Sequence, residues 1–537
     1  MPVAFRPQRV STRPLAGLAA LLGLRAGDPR GAGTRTGLTG VTHDSRAVRP
    51  GDLYAALPGA AVHGARFCAD AAAAGAVAVL TDPAGRRAAV ASGLPVFVVA
   101  DPRSRLGEVA AWVYGEPSDH LLLIGITGTA GKTTTTYLVE SGLRAAGYQT
   151  GLIGGVQTRI GGETQESSLT TPEATDLQAL LATMVERRVG AAAMEVSSHA
   201  LALGRVAGTR YEVAVFTNLS QDHLDFHVSM DEYFGAKARL FTPAYARAGV
   251  ISIDDQHGRE LAAHAAIPVT TFSGRGQQAA DWRATDVRPG ADGSTFRVIG
   301  PGGVAADAAV ALPGEFNVAN ALAAIVALVE AGVGLADAVT GVAASAGPPG
   351  RLERVDGGQD FTVLVDYAHK PGAVEALLAA MRPVTQGSLV IVVGCGGDRD
   401  RGKRRLMGAA AARLADTVIL TSDNPRSEDP LAILAEMLAG AIEIAQRDRA
   451  HVVVQPDRAA AIQTAIAAAG KGDVVLIAGK GHERGQYVAG GVIPFDDREA
   501  AAAALVARLA ADNDNQASGA AGRHGPGGQP DTLLADA

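Results

Sequence analysis

The stretch "LLLIGITGTAGKTTTTYLVESGL", residues 121–143, decides the fold. An apolar run from Leu121 to Ile126 reads as a buried strand, the glycines as a loop, and the remainder as a helix. A strand that feeds glycines and Lys-Thr at a helix start surrounds a phosphate with backbone N–H groups and the positive helix end. Gly128, Thr129, Gly131, Lys132, Thr133 and Thr134 occupy those places, and the Lys132 ammonium adds a point charge. The strict G-x-x-x-x-G-K-[ST] spacing is not met, because its first glycine falls on Ile126 and Gly125 stands one residue early. A plain glycine turn accounts for Gly128 and Gly131 taken alone. Gly-Lys-Thr after an apolar strand favours a nucleotide phosphate, with the Thr133 hydroxyl on magnesium.

Working outward, residues 121 to about 346 alternate strand and helix. "GAAAMEVSSHA", "YEVAVFTNLS" and "AGVISIDD" each end an apolar run at polar residues. Alternation of this kind predicts a mostly parallel sheet covered by helices, with ligands at the carboxyl ends of its strands. Glu195, at the end of "AAAMEV", is therefore a strand-end carboxylate that a metal can reach. The Gly/Pro cluster in "SAGPPGRLERV" marks a boundary, after which "FTVLVDYAHKPG", "SLVIVVGCGGDRD", "DTVILTSDNPRSEDP" and "GDVVLIAGKGHE" restart the pattern. We expect an α/β protein of three domains: an N-terminal domain over 1–120, a central P-loop parallel-sheet domain over 121–346, and a C-terminal Rossmann-like α/β domain over 347–512. The segment 513–537 lacks periodicity and is rich in Gly, Pro and polar residues, which predicts a disordered tail.

Composition narrows the function. At 537 residues the chain is too long for one core. Only 4% of its residues are aromatic and its net charge is −7, which argues against nucleic-acid or membrane-surface binding. Cys68 and Cys395 lie too far apart in sequence to suggest a disulfide framework. The run from Leu15 to Leu24, preceded by Arg6, Arg9 and Arg13, superficially copies a signal peptide; Leu15, Leu18 and Leu22 instead repeat at helical spacing, and no small-x-small cleavage site follows. No apolar run is long enough to span a bilayer. We expect a cytoplasmic, soluble, monomeric protein.

His223 and His227 in "NLSQDHLDFH" have the H-x-x-x-H spacing of zinc proteases, but Leu224 stands where the glutamate base belongs. A zinc site with Asp222 and Asp225, and simple surface hydrogen bonding, both remain open from the spacing alone.

Taken together, "TGTAGKTT", "MEVSSHAL", "TNLSQDHLDFH", "YFGAKARLF", "GEFNVANALAA", "PGRLERV" and "DYAHKP" occur in the order found in the Mur ligases. These are ATP-dependent amino-acid ligases of peptidoglycan synthesis, and the resemblance runs from about residue 40 to about residue 500. It implies that the central domain is an ATPase domain using ATP and Mg2+, with Lys132, Glu195, His223 and Lys237 in the catalytic machinery. Thr133, Glu195, His223 and a carbamylated Lys237 would hold the metal. A neutral amine that captures carbon dioxide becomes an anionic oxygen ligand; without the resemblance, Lys237 reads as an ordinary solvated helix lysine. Asn317 would lie on the adenine side, and Arg351 and Asp366 would meet the nucleotide phosphates and ribose. Taken alone, Asn317 also reads as a helix cap and Arg351 as a loop stabiliser. Ala130 stands where the family often has Asn; a loop that works through backbone N–H groups tolerates this.

The resemblance also implies substrates. "DSRAVRPGDLYAALPG" is similar to the family's uridine-nucleotide domain, which assigns Ser45 and Arg46 to a UDP-sugar, here UDP-N-acetylmuramoyl-L-Ala-D-Glu. Thr170, Thr171, Ser197 and Arg205 match further substrate contacts, whereas Leu203 replaces a glutamine and cannot supply its hydrogen bonds.

"TSDNPRSEDP" contains an Asn-Pro that by itself reads equally as a turn. Family members with Asp-Asn-Pro-Arg use it for meso-diaminopimelate, whose far carboxylate suits a guanidinium through two parallel bonds. Arg426 is assigned to that carboxylate, with Asp423, Asn424 and Pro425 around it and Arg399, Gly479 and Glu483 completing the pocket. The alternatives are a lysine-adding or folylpolyglutamate synthase-like ligase on the same scaffold, or a muropeptide sensor without ligation. Arg426 argues against lysine, the front domain against a folate enzyme, and Glu195, His223 and Lys237 against a sensor.

Overall fold

The computed structural model describes residues 5–24, 37–59 and 61–521. It divides into two compact units, Met1–Pro348 and Pro349–Ala537. The first unit holds two main sheets with buried apolar clusters on each, so the expected N-terminal and central domains fall within one compact unit.

The smaller sheet has four parallel strands, Gly40–Thr42, Asp52–Ala56, Ala78–Thr81 and Val96–Val98, in that order. Helix Pro102–Tyr114 covers it through Leu106, Val109, Ala110 and Val113. Its limits are chemical: the Asp101 carboxylate accepts from Arg103 N and Ser104 N, proline opens the first turn, and Gly115 at φ 83° ends the last. Leu15–Leu21 is a helix that buries Leu15 and Leu18 in the same core, as the spacing predicts.

The larger sheet has eleven strands. Six strands, in the order Thr150–Ile153, Ala191–Glu195, Leu122–Thr127, Tyr211–Phe216, Ala246–Ser252 and Val269–Ser273, pair in parallel. Trp282–Gly290 adds to them in parallel, then Gly293–Ile299 and Ala305–Val310 follow antiparallel. At the other end, Gln157–Ile160 and Glu163–Glu166 add antiparallel, and the last of these is an edge with mostly exposed side chains. The chain leaves Leu122–Thr127 toward one side and later returns on the other, so the phosphate loop sits where the strand order reverses.

Helix Lys132–Ala145 is held close to helices Glu315–Glu330 and Leu335–Ala343 by small residues. A Cβ on Gly142 would come within 2.2 Å of Leu328 Cδ1, and one on Gly341 within 2.5 Å of the Gly142 Cα.

In the second unit, the strands Thr362–Asp366, Val474–Ala478, Leu389–Val393, Thr417–Leu420 and His451–Val454 lie parallel in that order, with Glu353–Arg354 antiparallel on the edge. Their apolar runs are buried on both faces. A hairpin, Gly485–Val488 with Gly491–Pro494, stands apart from this sheet. The final helix runs from Asp497 to Ala521, which corrects the disordered tail expected from residue 513; the Ala-rich segment before it carries the helix onward. Residues 522–537 of that tail lie outside the described residues.

Candidate active site

Gly128 (φ 144°) and Gly131 (φ 86°) give the phosphate loop its path, and both are also sterically required. A Cβ on Gly128 would lie 2.0 Å from Thr217 Oγ1, and one on Gly131 2.3 Å from Asn320 Oδ1. The loop is braced from the neighbouring strand end. Thr217 Oγ1 donates to the Ala130 carbonyl at 2.6 Å, while Asn218 accepts from Ala130 N at 3.0 Å and donates to its carbonyl at 3.1 Å. Sequence reading did not single out Thr217 or Asn218, because their role comes from pairing of Tyr211–Phe216 beside Leu122–Thr127.

Pairing of Ala191–Glu195 on the other side of Leu122–Thr127 places the carboxylate. Glu195 lies in register with Ile126, two residues before the loop. It is 2% exposed, accepts from Thr133 Oγ1 at 3.0 Å through Oε2, and accepts from Gly155 N at 2.9 Å through Oε1. Gly154 leaves the space, since a Cβ there would sit 2.5 Å from Glu195 Oε1. Thr133 at the helix start and Glu195 at the strand end thus present two adjacent hard oxygens, a donor pair that suits magnesium.

Lys237 is the largest departure from an ordinary helix lysine. It is 1% exposed on helix Met230–Ala238 and donates to the Gly128 carbonyl at 2.8 Å. Lys132 donates to the same oxygen at 2.8 Å and to the Thr129 carbonyl at 2.9 Å. Burial, and then the neighbouring Lys132 charge, push the Lys237 amine well below its usual range, against the weaker pull of Asp222. Its ammonium stands 4.7 Å from the Tyr233 ring centre, and the Tyr233 hydroxyl meets Thr129 Oγ1 at 3.0 Å.

His223 lies next to this cluster, with its ring 4.8 Å from that of His199 and Nε2 3.6 Å from Asp222. Its φ of 54° is left-handed, a strained conformation for a residue with a side chain. His227 is fully buried with neither ring nitrogen hydrogen-bonded, and burial lowers its basicity. Among the described residues no group of three or more His, Cys, Asp or Glu is arranged to hold a metal.

Thr171 and Ser197 form a buried hinge to Glu195: Thr171 Oγ1 donates to the Glu195 carbonyl at 2.9 Å and accepts from Ser197 N at 3.0 Å. Arg205 pairs with Glu173 at 2.9 Å and donates to the Thr171 carbonyl at 3.3 Å. Thr170 faces Gly155, 3.1 Å from where a Cβ would stand. Leu203 ends the short helix Ser198–Ala202. Asn317 is buried in the first turn of Glu315–Glu330, donating to the Pro313 carbonyl at 2.8 Å and accepting from Asn320 at 3.1 Å. In the smaller sheet region, Ser45 and Arg46 lie in a turn capped by Asp44; Arg46 holds that carboxylate below its usual range through a 2.8 Å ion pair and is otherwise exposed.

The second unit carries its own cluster. Asp366, at the end of Thr362–Asp366, accepts from Leu352 N at 2.9 Å and Ala368 N at 2.8 Å, while burial pushes its pKa above the usual carboxylate range. Arg351 stacks over Tyr367 at 4.7 Å. Asn424 donates to Glu483 Oε2 at 2.8 Å, and a Cβ on Gly479 would lie 2.6 Å from Asp423 Oδ2. Arg426 has a left-handed φ of 53° and donates through Nη1 to the Gly397 carbonyl at 2.7 Å. The Pro425 carbonyl lies against Gly397, where a Cβ would come within 1.9 Å. Arg399 enters the same loop, its Cγ 3.8 Å from where a Gly396 Cβ would stand. Lys480, which sequence reading passed over, is fully buried beside Asn424 and Glu483.

Comparison with known proteins follows the same order along the chain. A Mur ligase family catalytic domain model matches residues 37–114, a Mur ligase middle domain model residues 126–328, and a Mur ligase glutamate ligase domain model residues 350–481. The chain is 61% identical over 494 residues to the UDP-N-acetylmuramoyl-L-alanyl-D-glutamate--2,6-diaminopimelate ligase of Streptomyces coelicolor, covering 92% of this chain and 96% of the relative. It is 48% identical over 498 residues to the protein of the same name from Corynebacterium glutamicum, covering 91% and 96%. A solved structure of a ligase with that name superposes with a TM-score of 0.68 at 32% identity, covering 93% of this chain and all of that one.

Proposed function

This chain belongs to the Mur ligase family, and we propose that it joins meso-diaminopimelate to the D-glutamyl γ-carboxylate of UDP-N-acetylmuramoyl-L-Ala-D-Glu at the expense of ATP. The observation that carries the reading is the convergence of Lys132 and the buried Lys237 on one loop carbonyl, beside Thr133 at the helix start and Glu195 at a strand end. A carboxylate does not condense with an amine at neutral pH, because its oxygen is a poor leaving group. The loop N–H groups of Gly128–Thr134 would hold the phosphates of ATP, and Lys132 would spread the charge of the transferring phosphoryl group. The γ-carboxylate oxygen attacks the γ-phosphorus and ADP leaves. The amine of diaminopimelate then attacks the acyl carbon, phosphate departs, and the amine loses its proton.

Thr133, Glu195, His223 and a carbamylated Lys237 would hold magnesium, which supplies charge stabilisation to the phosphoryl oxygens when bound. The depressed basicity of Lys237 supports this, since only the neutral amine captures carbon dioxide. Asn317, Arg351 and Asp366 would hold the nucleoside and phosphates; Ser45, Arg46, Thr170, Thr171, Ser197 and Arg205 would hold the UDP-sugar peptide. Arg426, with Arg399, Asp423, Asn424, Pro425, Gly479 and Glu483, would select the amine by its far carboxylate. No described helix is long and apolar enough to cross a membrane, and we assign the protein to the cytoplasm as a monomer.

The test is product mass and phosphate release with ATP, magnesium, UDP-N-acetylmuramoyl-L-Ala-D-Glu and either meso-diaminopimelate or L-lysine. Product with diaminopimelate alone is expected. Preference for lysine would overturn the assignment of Arg426, and binding without product from either amine would overturn the ligase.

A further inference from the structure

Lys480 follows Gly479 in "AGKGHE", and its side chain is completely buried. The ammonium donates to Asn424 Oδ1 at 2.9 Å, Glu483 Oε2 at 3.1 Å and the Gly485 carbonyl at 2.7 Å, so each of its three protons has an acceptor. These acceptors lie on the loop after strand Thr417–Leu420, on the turn after strand Val474–Ala478, and at the first residue of the hairpin. We propose that Lys480 is a positioning residue for the incoming diamino acid. It sets the side chains that meet the amine, and through them the preference for a substrate with a far carboxylate. The inference rests on the amine-selecting role given above to Asn424, Arg426 and Glu483.

An asparagine amide has nearly the same shape either way round, so its neighbours must fix which end is oxygen. Here two donors do so, Lys480 and the Tyr487 N–H at 3.1 Å, and the opposite end of the amide is left to donate to Glu483. Both bonds to the Glu483 carboxylate fall on Oε2, from Asn424 and Lys480. Oε1 therefore keeps its acceptor capacity for a substrate ammonium.

The third bond reaches the arginine indirectly. By holding Gly485, Lys480 anchors the hairpin whose Tyr487 carbonyl accepts from Arg426 N at 2.9 Å and whose Gln486 side chain donates to the Asp423 carbonyl at 2.8 Å. These contacts hold Arg426 in its left-handed conformation. A buried ammonium is an expensive way to fill volume, since apolar side chains of similar size often serve stability as well or better. Its three acceptors are what an apolar replacement cannot serve.

The experiment uses the full chain with Lys480→Met, Lys480→Arg, Glu483→Gln and the Lys480→Met/Glu483→Gln pair. Steady-state constants are measured for meso-diaminopimelate, L-lysine, ATP and the UDP-dipeptide, alongside thermal melting. Lys480→Met is expected to raise KM for meso-diaminopimelate by about 10- to 100-fold, as losing hydrogen bonds to a charged group does, and to narrow the preference over lysine. KM for ATP stays within about twofold, since none of the three bonds of Lys480 goes to Arg351 or Asp366. The double variant is expected to be no worse than the poorer single, because both act through one carboxylate, and Lys480→Arg retains part of the affinity. An unchanged meso-diaminopimelate KM and preference in Lys480→Met, or equal losses for all substrates, would overturn the proposal. Should Lys480→Met fail to fold, the same comparison in Lys480→Arg decides. A wild-type chain that does not ligate meso-diaminopimelate would instead overturn the amine assignment, and that result is read before any variant is made.

Discussion

Lys237 and Gly128 meet at one carbonyl oxygen, and each can be tested separately. Lys237→Ala removes a buried amine and, with it, the carbamate proposed above; turnover is expected to fall by about 100- to 1,000-fold, with melting little lowered, as for loss of one electrostatic group in a phosphoryl-transfer site. Gly128→Ala forces a Cβ against Thr217 Oγ1 at a φ of 144°. ATP affinity, read by calorimetric titration, is expected to weaken at least about tenfold from the backbone strain. These two residues also differ in how visible they are in sequence. Gly128 stands beside Gly131, Lys132 and Thr133 in an order that only phosphate chemistry explains well. Lys237 sits in "YFGAKARLF" among residues that fit any surface helix, and its burial is created by the packing of that helix against the phosphate loop. Lys480 was hidden for the same reason: long-range contact, not spacing, gives it acceptors.

Elements transmit these positions. Helix Lys132–Ala145 points its first turn at the phosphate loop and is packed through Gly142 against Leu328 and Gly341. Gly142→Leu is expected to destabilise the first unit by about 1–3 kcal/mol, the usual cost of overpacking, and to lower the corresponding calorimetric transition. In the second unit, Glu428 receives Arg404 at 2.8 Å, Arg401 at 2.8 Å and the Asp398 N–H at 2.6 Å, tying helix Gly402–Leu414 to the loop that carries Arg399. The Arg404 hydrogen bond leads in holding its carboxyl down at about 2 against an ordinary 4.5. A carboxyl depressed on folding contributes stability above its unfolded value and loses it as pH falls through the folded one. Stability should therefore decline between about pH 4.5 and about pH 2 on this group's account, and acid unfolding of Glu428→Gln should be flatter across that window. The parallel strands were legible as elements because both faces are buried and their sequences are continuously apolar. The antiparallel additions Gln157–Ile160 and Glu163–Glu166 were not, since "QTRIGGETQE" carries no apolar run and owes its strand form to pairing with Thr150–Ile153.

At the scale of the whole molecule, the two units share no sheet and each buries its own apolar clusters. The full chain is expected to unfold in more than one calorimetric transition, with an ATP analogue raising the first unit's transition by mass action. A single two-state transition that every ligand shifts equally would contradict this. Turn chemistry in the Gly/Pro cluster "SAGPPG" interrupts one alternation before the next begins, and the two compact units divide between Pro348 and Pro349.

The eleven-stranded sheet that aligns the phosphate loop has to end somewhere, and its open margin at Glu163–Glu166 is guarded by charge. An unpaired strand is a template for another chain, and the Glu166 carboxylate together with the Glu163–Arg187 ion pair puts charge along this one. Resistance to edge pairing is thus built into the sheet that carries the phosphate loop: a Val replacement at both glutamates is expected to leave that loop intact while making this margin prone to aggregation, read by light scattering.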